Sequence, residues 1–275
     1  MASRFRFRGS AFGAAGRIGR PFSEIIEVQA ASTIAKFGGH ASARSADFHH
    51  RDLVRFRLAH TAVTGSSHAT NGDATKLTYS TRVAAIVEGL NIHDIVTADR
   101  VVAMLVSTYT PTSDGEPSVH VIGSHFENLR IAGIPVDVDL AVDVFDRHNT
   151  HGSLSAAYES DQTTRDLIDR LSLSYRAKEA PAHILRWFNP STGGKQLPAS
   201  RGITSTSLVR GLSPAKPGLD CWGHVIHIPG FGTIRLAEIE ISKTTRNLTM
   251  IQINMGSPCD AELAFCDVID GGDDY

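Results

Sequence analysis

Apolar residues alternate with polar or small residues along much of the chain, and this pattern predicts strands. The clearest stretch covers residues 76–142, where the apolar positions include Val83, Ala85 and Val87. A period of two places successive side chains on opposite faces of a sheet, so it is typical of strands with one buried face. A second stretch, at 221–269, predicts the other half of a sandwich.

The alternation fails over residues 146–220, which we therefore interpret as an insertion in a β domain. Within the insertion, Leu167, Ile168 and Leu171 recur at helical spacing, and they predict one short helix at about 163–175. The fold class predicted is thus all-β, an antiparallel β-sandwich with one short helix. A barrel-like closure of the sheets is the alternative.

The order of these patterns predicts a single domain over residues 21–270. Residues 1–20 combine basic side chains with Phe and Gly, and we expect a flexible basic arm there. Residues 271–275, with two aspartates, are expected to be an acidic tail.

Two five-residue words share the pattern E-x-L-x-I, at 88–92 and at 127–131. They are consistent with an imperfect internal repeat. They are equally consistent with two strand ends that lead into similar turns without any duplication.

Composition limits the partners that can be expected. The 275 residues include 27 basic and 29 acidic side chains, a formal net charge of −2, so the chain has no bulk attraction to nucleic acid. Three cysteines are too few for a disulfide framework, and they favour a reducing compartment.

No apolar run reaches the length of a transmembrane helix, about 18 residues, and the N-terminus lacks the apolar core of a signal peptide. The expected location is therefore the cytoplasm, or the exterior by a non-classical route of export.

Three segments, at 95–103, 126–136 and 228–236, carry a resemblance to a known group. Their sequences are IVTADRVVA, FENLRIAGIPV and IPGFGTIRL. They resemble, in the same order, the choice-of-anchor P group of bacterial surface domains, and they are similar to uncharacterised bacterial proteins with the words EGLNI and TADRVVA. The resemblance implies an extended, surface-associated β protein and no catalytic residues. The chain departs from the group in showing no leader and no anchor.

The chain's 13 histidines are its richest chemical feature. Asp146, His148 and His151 form the best candidate for a metal site, because a loop can fold two imidazoles and a carboxylate around one divalent ion. Solvated or helix-capping side chains are the alternative. No cofactor is predicted, and a divalent metal is the one that these residues would suit.

Two tryptophans and a histidine, Trp187, Trp222 and His224, are candidates for a ligand site, since aromatic walls with a few polar groups suit a carbohydrate or another small molecule. The chain lacks a G-x-S-x-G elbow, and the closeness of Cys221 to His224 in sequence does not establish a catalytic dyad.

The leading prediction is a non-enzymatic structural or interaction protein that forms homo-oligomers through its sheet edges. The basic arm would add a strand to a neighbouring subunit, and its residues are Arg4, Phe5, Arg6, Phe7 and Arg8. The rival prediction is a ligand-binding or metal-binding protein, or an enzyme, with its site under the insertion at 146–220.

Overall fold

The chain folds into two antiparallel β-sheets that pack face to face, as seen in a computed structural model. The predicted all-β antiparallel sandwich is confirmed, and each sheet is open over the part of the chain that the structure describes. The described residues are 5–21, 23–70, 73–111, 115–171, 205–214, 218–256 and 260–273.

The first sheet combines the beginning and the end of the chain. Its strands run in the order β14-β15-β16-β17-β18-β1-β2, while β12 pairs with β16 and β3 pairs with β1. Their bounds are β1 (Arg6–Ile18), β2 (Glu24–Gln29), β3 (Ser32–Thr33), β12 (Ser205–Ser207), β14 (Asp220–Trp222), β15 (Val225–Ile228), β16 (Gly232–Ile241), β17 (Thr245–Met255) and β18 (Ala261–Asp273).

The second sheet comes mainly from the middle of the chain. Its order is β13-β11-β10-β7-β6-β5-β4, while β8 and β9 also pair with β7. The bounds are β4 (Gly39–His50), β5 (Val54–Thr70), β6 (Asp73–Ile92), β7 (Val96–Tyr109), β8 (Ser118–His120), β9 (His125–Glu127), β10 (Arg130–Ile131), β11 (Ile134–Leu140) and β13 (Val209–Pro214).

The flexible arm expected at the N-terminus is replaced by a strand inside the first sheet. Residues 6–18 form β1, which is hydrogen-bonded to β18 on one side and to β2 and β3 on the other. Phe7, Gly9 and Ala11 are buried at alternate positions, and Arg6 and Arg8 are exposed between them. The mixture of Phe and Arg that suggested an arm is therefore the alternation of a half-buried strand.

In the described part of the chain, three helices follow β11, whereas the sequence predicted one. They are α1 (Val142–Arg147), α2 (His151–Ser160) and α3 (Gln162–Leu171). The predicted helix corresponds to α3, and residues 172–175 of that prediction lie outside the described part of the chain. The sequence of α2 is rich in Gly, Ser and Ala and buries only Leu154 among its apolar side chains, so it lacks the periodicity by which a helix is recognised. No helix in the described residues is long and apolar enough to cross a membrane.

The two sheets are in close contact where β1 faces β5. A Cβ atom on Gly9 would lie 2.7 Å from Cγ1 of Val63, and one on Gly13 would lie 2.6 Å from Cβ of Ala59. Real Cβ contacts are longer than this, so any larger residue at these positions would push the sheets apart.

An irregularity in the inward–outward alternation, which we call the crease, crosses four neighbouring strands of the second sheet at adjacent positions. In each of four neighbouring strands, β4 to β7, the alternation shifts by one residue, because two successive residues face away from the core. Pairing is interrupted there without a change of register, and Asp47 and Gly89 have positive φ angles of 50° and 65°. The outward pairs are residues 46–47, 57–58, 88–89 and 99–100.

The first sheet has the complementary feature at the same level. Two successive residues face the core in β1, β16, β17 and β18, at 13–14, 236–237, 250–251 and 265–266. Cys266, which has a φ of 51°, donates its thiol to the carbonyl of Val101 in the opposite sheet at 3.3 Å. The crease therefore runs through both sheets at the same level.

The two E-x-L-x-I words lie on either side of β7 and have the same conformation. Glu88 and Glu127 both lie opposite Arg100. In each word the residue after the glutamate has a positive φ, 65° in Gly89 and 50° in Asn128, and each word ends in a turn of two further residues with positive φ. The likeness therefore extends to eight residues, EGLNIHDI and ENLRIAGI. Both origins, duplication and shared geometry, stay open.

Candidate functional site

The aromatic residues of the predicted arm belong to the core. Phe5 stacks on Tyr79 and Tyr109, with ring centroids 4.5 and 5.2 Å apart. Phe7 packs edge-on against Phe5 at 5.0 Å. Arg6 and Arg8 are exposed on the opposite face of β1, and Arg4 lies outside the described residues. Phe5 and Phe7 thus help hold the sheets together and are not available to a neighbouring subunit.

The structure places the three predicted metal ligands in different settings. Nδ1 of His120 donates to Oδ1 of Asp146, and Nε2 of His120 lies 3.4 Å from the amide of Asn149. His148 lines a small pocket, and His151 is the first residue of α2. Within the described ranges, no three side chains of the types His, Cys, Asp and Glu are grouped closely enough to hold a metal ion.

The pocket beside His148 lies between β8, the helices α1 and α2, and the strands β16 and β17. Its walls are apolar except for His148, Asn149 and Arg246. Its enclosed space has room for about one water molecule. A site of this size admits a water or a very small ligand, but no sugar ring.

Arg246 and Asp270 form a buried pair of opposite charges inside the sandwich. The two residues lie directly opposite each other on β17 and β18, with 5% and 0% of their surfaces exposed. Nη1 of Arg246 donates to the carbonyls of Ser242 and Thr245. Burial lowers the pKa of Arg246 to about 10, although the charges of Glu116 and Asp270 act in the opposite direction.

Asp270 has fewer hydrogen-bond partners than Arg246. Neither carboxylate oxygen has a hydrogen bond of normal geometry. Burial raises the pKa of Asp270 to about 7, and the nearby Ser107 hydroxyl, the Gly271 N–H and the charge of Arg246 offset this only in part. A carboxyl group with this pKa changes its charge near neutral pH.

The charges around Arg246 continue to the start of α2. Glu116 accepts a hydrogen bond from the backbone N–H of Gly152 at 2.7 Å, where the helix dipole favours an anion. Burial lowers the pKa of His151, and the charges of Arg246 and Lys243 add to this while Glu116 opposes it. We call Arg246, Asp270, Glu116 and His151 the polar end.

Sequence reasoning missed three of these four residues, although a signal existed for two. Arg246 precedes Leu248 at a spacing of two, and Asp270 follows Val268 at the same spacing. A charged residue at an inward position of an alternating strand indicates a buried charge.

The predicted ligand residues are only partly in reach of solvent. His224 is fully buried, and its Nε2 lies 3.1 Å from Oε1 of Glu238, whose other oxygen lies 3.2 Å from Arg235. Burial alone would raise the pKa of Glu238, but His224 and Arg235 hold it below its usual range. Trp222 is half-buried and donates to Asp220. Trp187 lies outside the described residues.

Within the described residues, β4 is the longest strand at the end of a sheet. Among the described strands, β4 is paired with β5 alone. Beside it lies β2, where Gln29 accepts from Ser45 at 2.9 Å and Glu24 lies 3.3 Å from His50.

Apolar side chains are exposed along the same side of the molecule. Ile25 and Val28 on β2 are 75% and 53% exposed, and Phe37, just before β4, is 73% exposed. They are three of the five large apolar side chains that are exposed in the described ranges. We call β4 with Ile25, Val28 and Phe37 the β4 edge surface.

The geometry defines an antiparallel two-sheet sandwich with helices between β11 and β12. Residues 5–242, from the start of β1 to the end of β16, match the family described as a domain of unknown function, DUF8256, and the chain belongs to that family. Neither the curated proteins nor the solved structures include a significant match. The resemblance to the choice-of-anchor P group gains no support from these comparisons.

Proposed function

We propose that this protein is a non-enzymatic interaction protein that self-associates through the edge of its second sheet. The observation that carries the proposal is β4, a strand of 12 residues that pairs on one side only within the described residues. The unpaired N–H and C=O groups of such a strand are a template for a further strand.

The composition of β4 leaves this edge open to a partner. Its sequence, GHASARSADFHH, contains no proline and no lysine, and six of its 12 residues are Gly, Ala or Ser. Natural proteins protect exposed edges with short strands, prolines or lysines. Two other edge strands of this protein follow that rule, since β14 has three residues and β13 ends at a proline, whereas β2 has neither device.

A bacterial surface setting, implied by the choice-of-anchor P resemblance, is part of this proposal. Edge-to-edge pairing would hold neighbouring copies side by side on such a surface. The rival function, a ligand or metal site under the helices, has less support. The pocket found there has room for about one water molecule, and charges of both signs lie around it.

Sedimentation velocity over a range of protein concentrations tests the proposal. We expect reversible association of the native chain, lost in an Ile25→Lys/Val28→Lys double variant, because two charges would flank the pairing edge. Both side chains are already more than half exposed, so the fold should tolerate the change.

The matched control is Ile122→Lys, which replaces another exposed apolar residue, 55% exposed, in the turn between β8 and β9. It should associate like the native chain. A native chain that is monomeric at every concentration, or equal losses in the control, would contradict the proposal.

A further inference from the structure

We infer that the partner at β4 is a second copy of β4, in an antiparallel pair whose two-fold axis passes through Ala43. This inference rests on the proposed function and specifies its partner and register. The length, the face pattern and the charges of β4 lead to it.

The regular part of β4 limits where the axis can lie. Residues 39–46 pair continuously with β5, and the positive φ of Asp47 then interrupts the ladder. A two-fold pair of strands uses equal lengths on both sides of its axis. An axis near the middle of this segment, at Ser42 or Ala43, gives the longest uninterrupted pairing.

The face pattern requires the axis to pass through a residue. Ala41, Ala43 and Ser45 are half-buried on the inner face of the sheet, while Ser42 and Arg44 are exposed on the outer face. Residues directly opposite each other in an antiparallel pair lie on the same face. Inner positions must therefore meet inner positions, which excludes an axis between two residues.

Charge distinguishes the remaining registers. An axis at Arg44 would place the two Arg44 guanidinium groups opposite each other, and an axis at Ser42 would place Arg44 opposite His40, which adds a like charge only when that imidazole is protonated. Like charges in directly opposite positions destabilise a sheet. An axis at Ala43 places Arg44 opposite Ser42 of the second copy, without any opposed charges in the regular segment.

The same axis also brings the exposed apolar residues together. It sets residues 46–49 of one copy beside residues 37–40 of the other. The strand β2, with Ile25 and Val28, lies along 45–50, as its contacts at Ser45 and His50 show. Phe37 stands at the start of the facing segment. Apolar surface that is exposed in one copy is thus covered in the pair.

Cysteine cross-linking tests the register. In an Ala43→Cys variant the two introduced residues would be directly opposite, with Cα atoms about 5 Å apart, a separation that a disulfide spans. In the control Ala41→Cys, on the same face, they would be about 13 Å apart along the strands and could not bridge. With oxidised glutathione, we expect covalent dimers of Ala43→Cys only, above the background of the native cysteines.

Charge substitutions at Ser42 give an independent test. Ser42→Glu would place a carboxylate opposite Arg44 twice in the dimer, and Ser42→Lys would place an ammonium there twice. We expect the dissociation constant to fall about fivefold in the first and to rise about fivefold in the second.

The outcomes distinguish the register with its axis at Ala43 from the edge association on which it rests. A chain that associates but cross-links equally at both positions, or at neither, overturns the register and leaves edge association standing. Shifts of the same sign in both Ser42 variants overturn it as well. A monomeric chain overturns the proposed function itself.

Discussion

The two ends of the sandwich differ in where their charges lie, since one end carries them on the outer face of the second sheet and the other end buries them on the inner face of the first sheet. At the apolar end, below the crease, the interior is filled by side chains no more than 2% exposed, and these include Phe56, Leu90, Ile92, Leu129 and Ile131.

The charges of the apolar end lie outside, in a ladder across the second sheet. Glu88 lies 2.5 Å from Arg57 and 3.7 Å from Arg100, which in turn lies 3.8 Å from Glu127. At the polar end, Arg246 and Asp270 are inside, on the face where Leu248 and Val268 also lie.

The difference shows that the fold does not depend on a uniformly apolar core. Charges on the outer face keep most of their hydration and contribute little to stability. A buried pair loses its hydration, and unless its geometry is good it destabilises the fold. We therefore expect the apolar end to supply stability and the polar end to limit it.

The largest effect on stability is expected from removing a large buried side chain at the apolar end. Phe56 is 2% exposed and stacks on Phe48 with centroids 4.9 Å apart. Phe56→Ala should lower the free energy of unfolding by about 3–5 kcal/mol, because a cavity replaces the ring. Urea unfolding followed by tryptophan fluorescence measures this. A loss below about 1 kcal/mol would mean that the two ends do not differ as described.

The next effect is a gain at the polar end. Burial raises the pKa of Asp270 from its ordinary value to about 7 in the folded protein, so ionisation of this carboxyl destabilises the fold only above that ordinary value, and progressively more as the pH rises to about 7. Asp270→Asn removes the titration. The variant should match the native chain near pH 4 and exceed its stability at pH 8 by up to about 4 kcal/mol.

Urea unfolding at a series of pH values from 4 to 8 checks this expectation, with the exposed Asp52→Asn as the control. If the free energy of unfolding depends on pH in the same way in the native chain and in Asp270→Asn, ionisation of Asp270 does not destabilise the fold.

The smallest effect is expected on the outer ladder. Arg100→Gln removes the residue that lies between Glu88 and Glu127, and its side chain is 39% exposed. The expected loss is below about 1 kcal/mol, and it should vanish in 1 M salt because screening weakens exposed ion pairs. If Arg100→Gln lowered the free energy of unfolding as much as Phe56→Ala does, the expectation that charges on the outer face contribute little to stability would be wrong.

Much of the sheet structure was predictable because its apolar positions alternate. Val83, Ala85 and Val87 predicted β6 correctly, and the crease was also visible as a spacing of three between Val87 and Leu90. The same spacing separates Ala98 from Val101. The sequence could not show that the crease residues of the two sheets lie side by side, however. Their position relative to each other depends on the register between strands that are distant in the chain.

The candidate sites were harder to predict for the same reason. Nothing in GHASARSADFHH indicates that β4 is the terminal strand of its sheet, since strand order is a property of long-range pairing. The partner of Asp146 lies on β8, 26 residues earlier, and the pairing of Arg246 with Asp270 depends on the β17–β18 register. Local patterns identify a residue's face but not its neighbour across the sheet.

The crease restricts how the lengths of the strands can change. A one-residue deletion within β6 between Val83 and Val87 would turn every side chain on one side of the deletion to the wrong face of the sheet. Only the loss of a residue at the paired positions of β5 and β7 would restore the match. Insertions and deletions among members of this family should therefore fall at strand ends and in turns. Alignments that open gaps within these strands should be realigned with the crease residues in register.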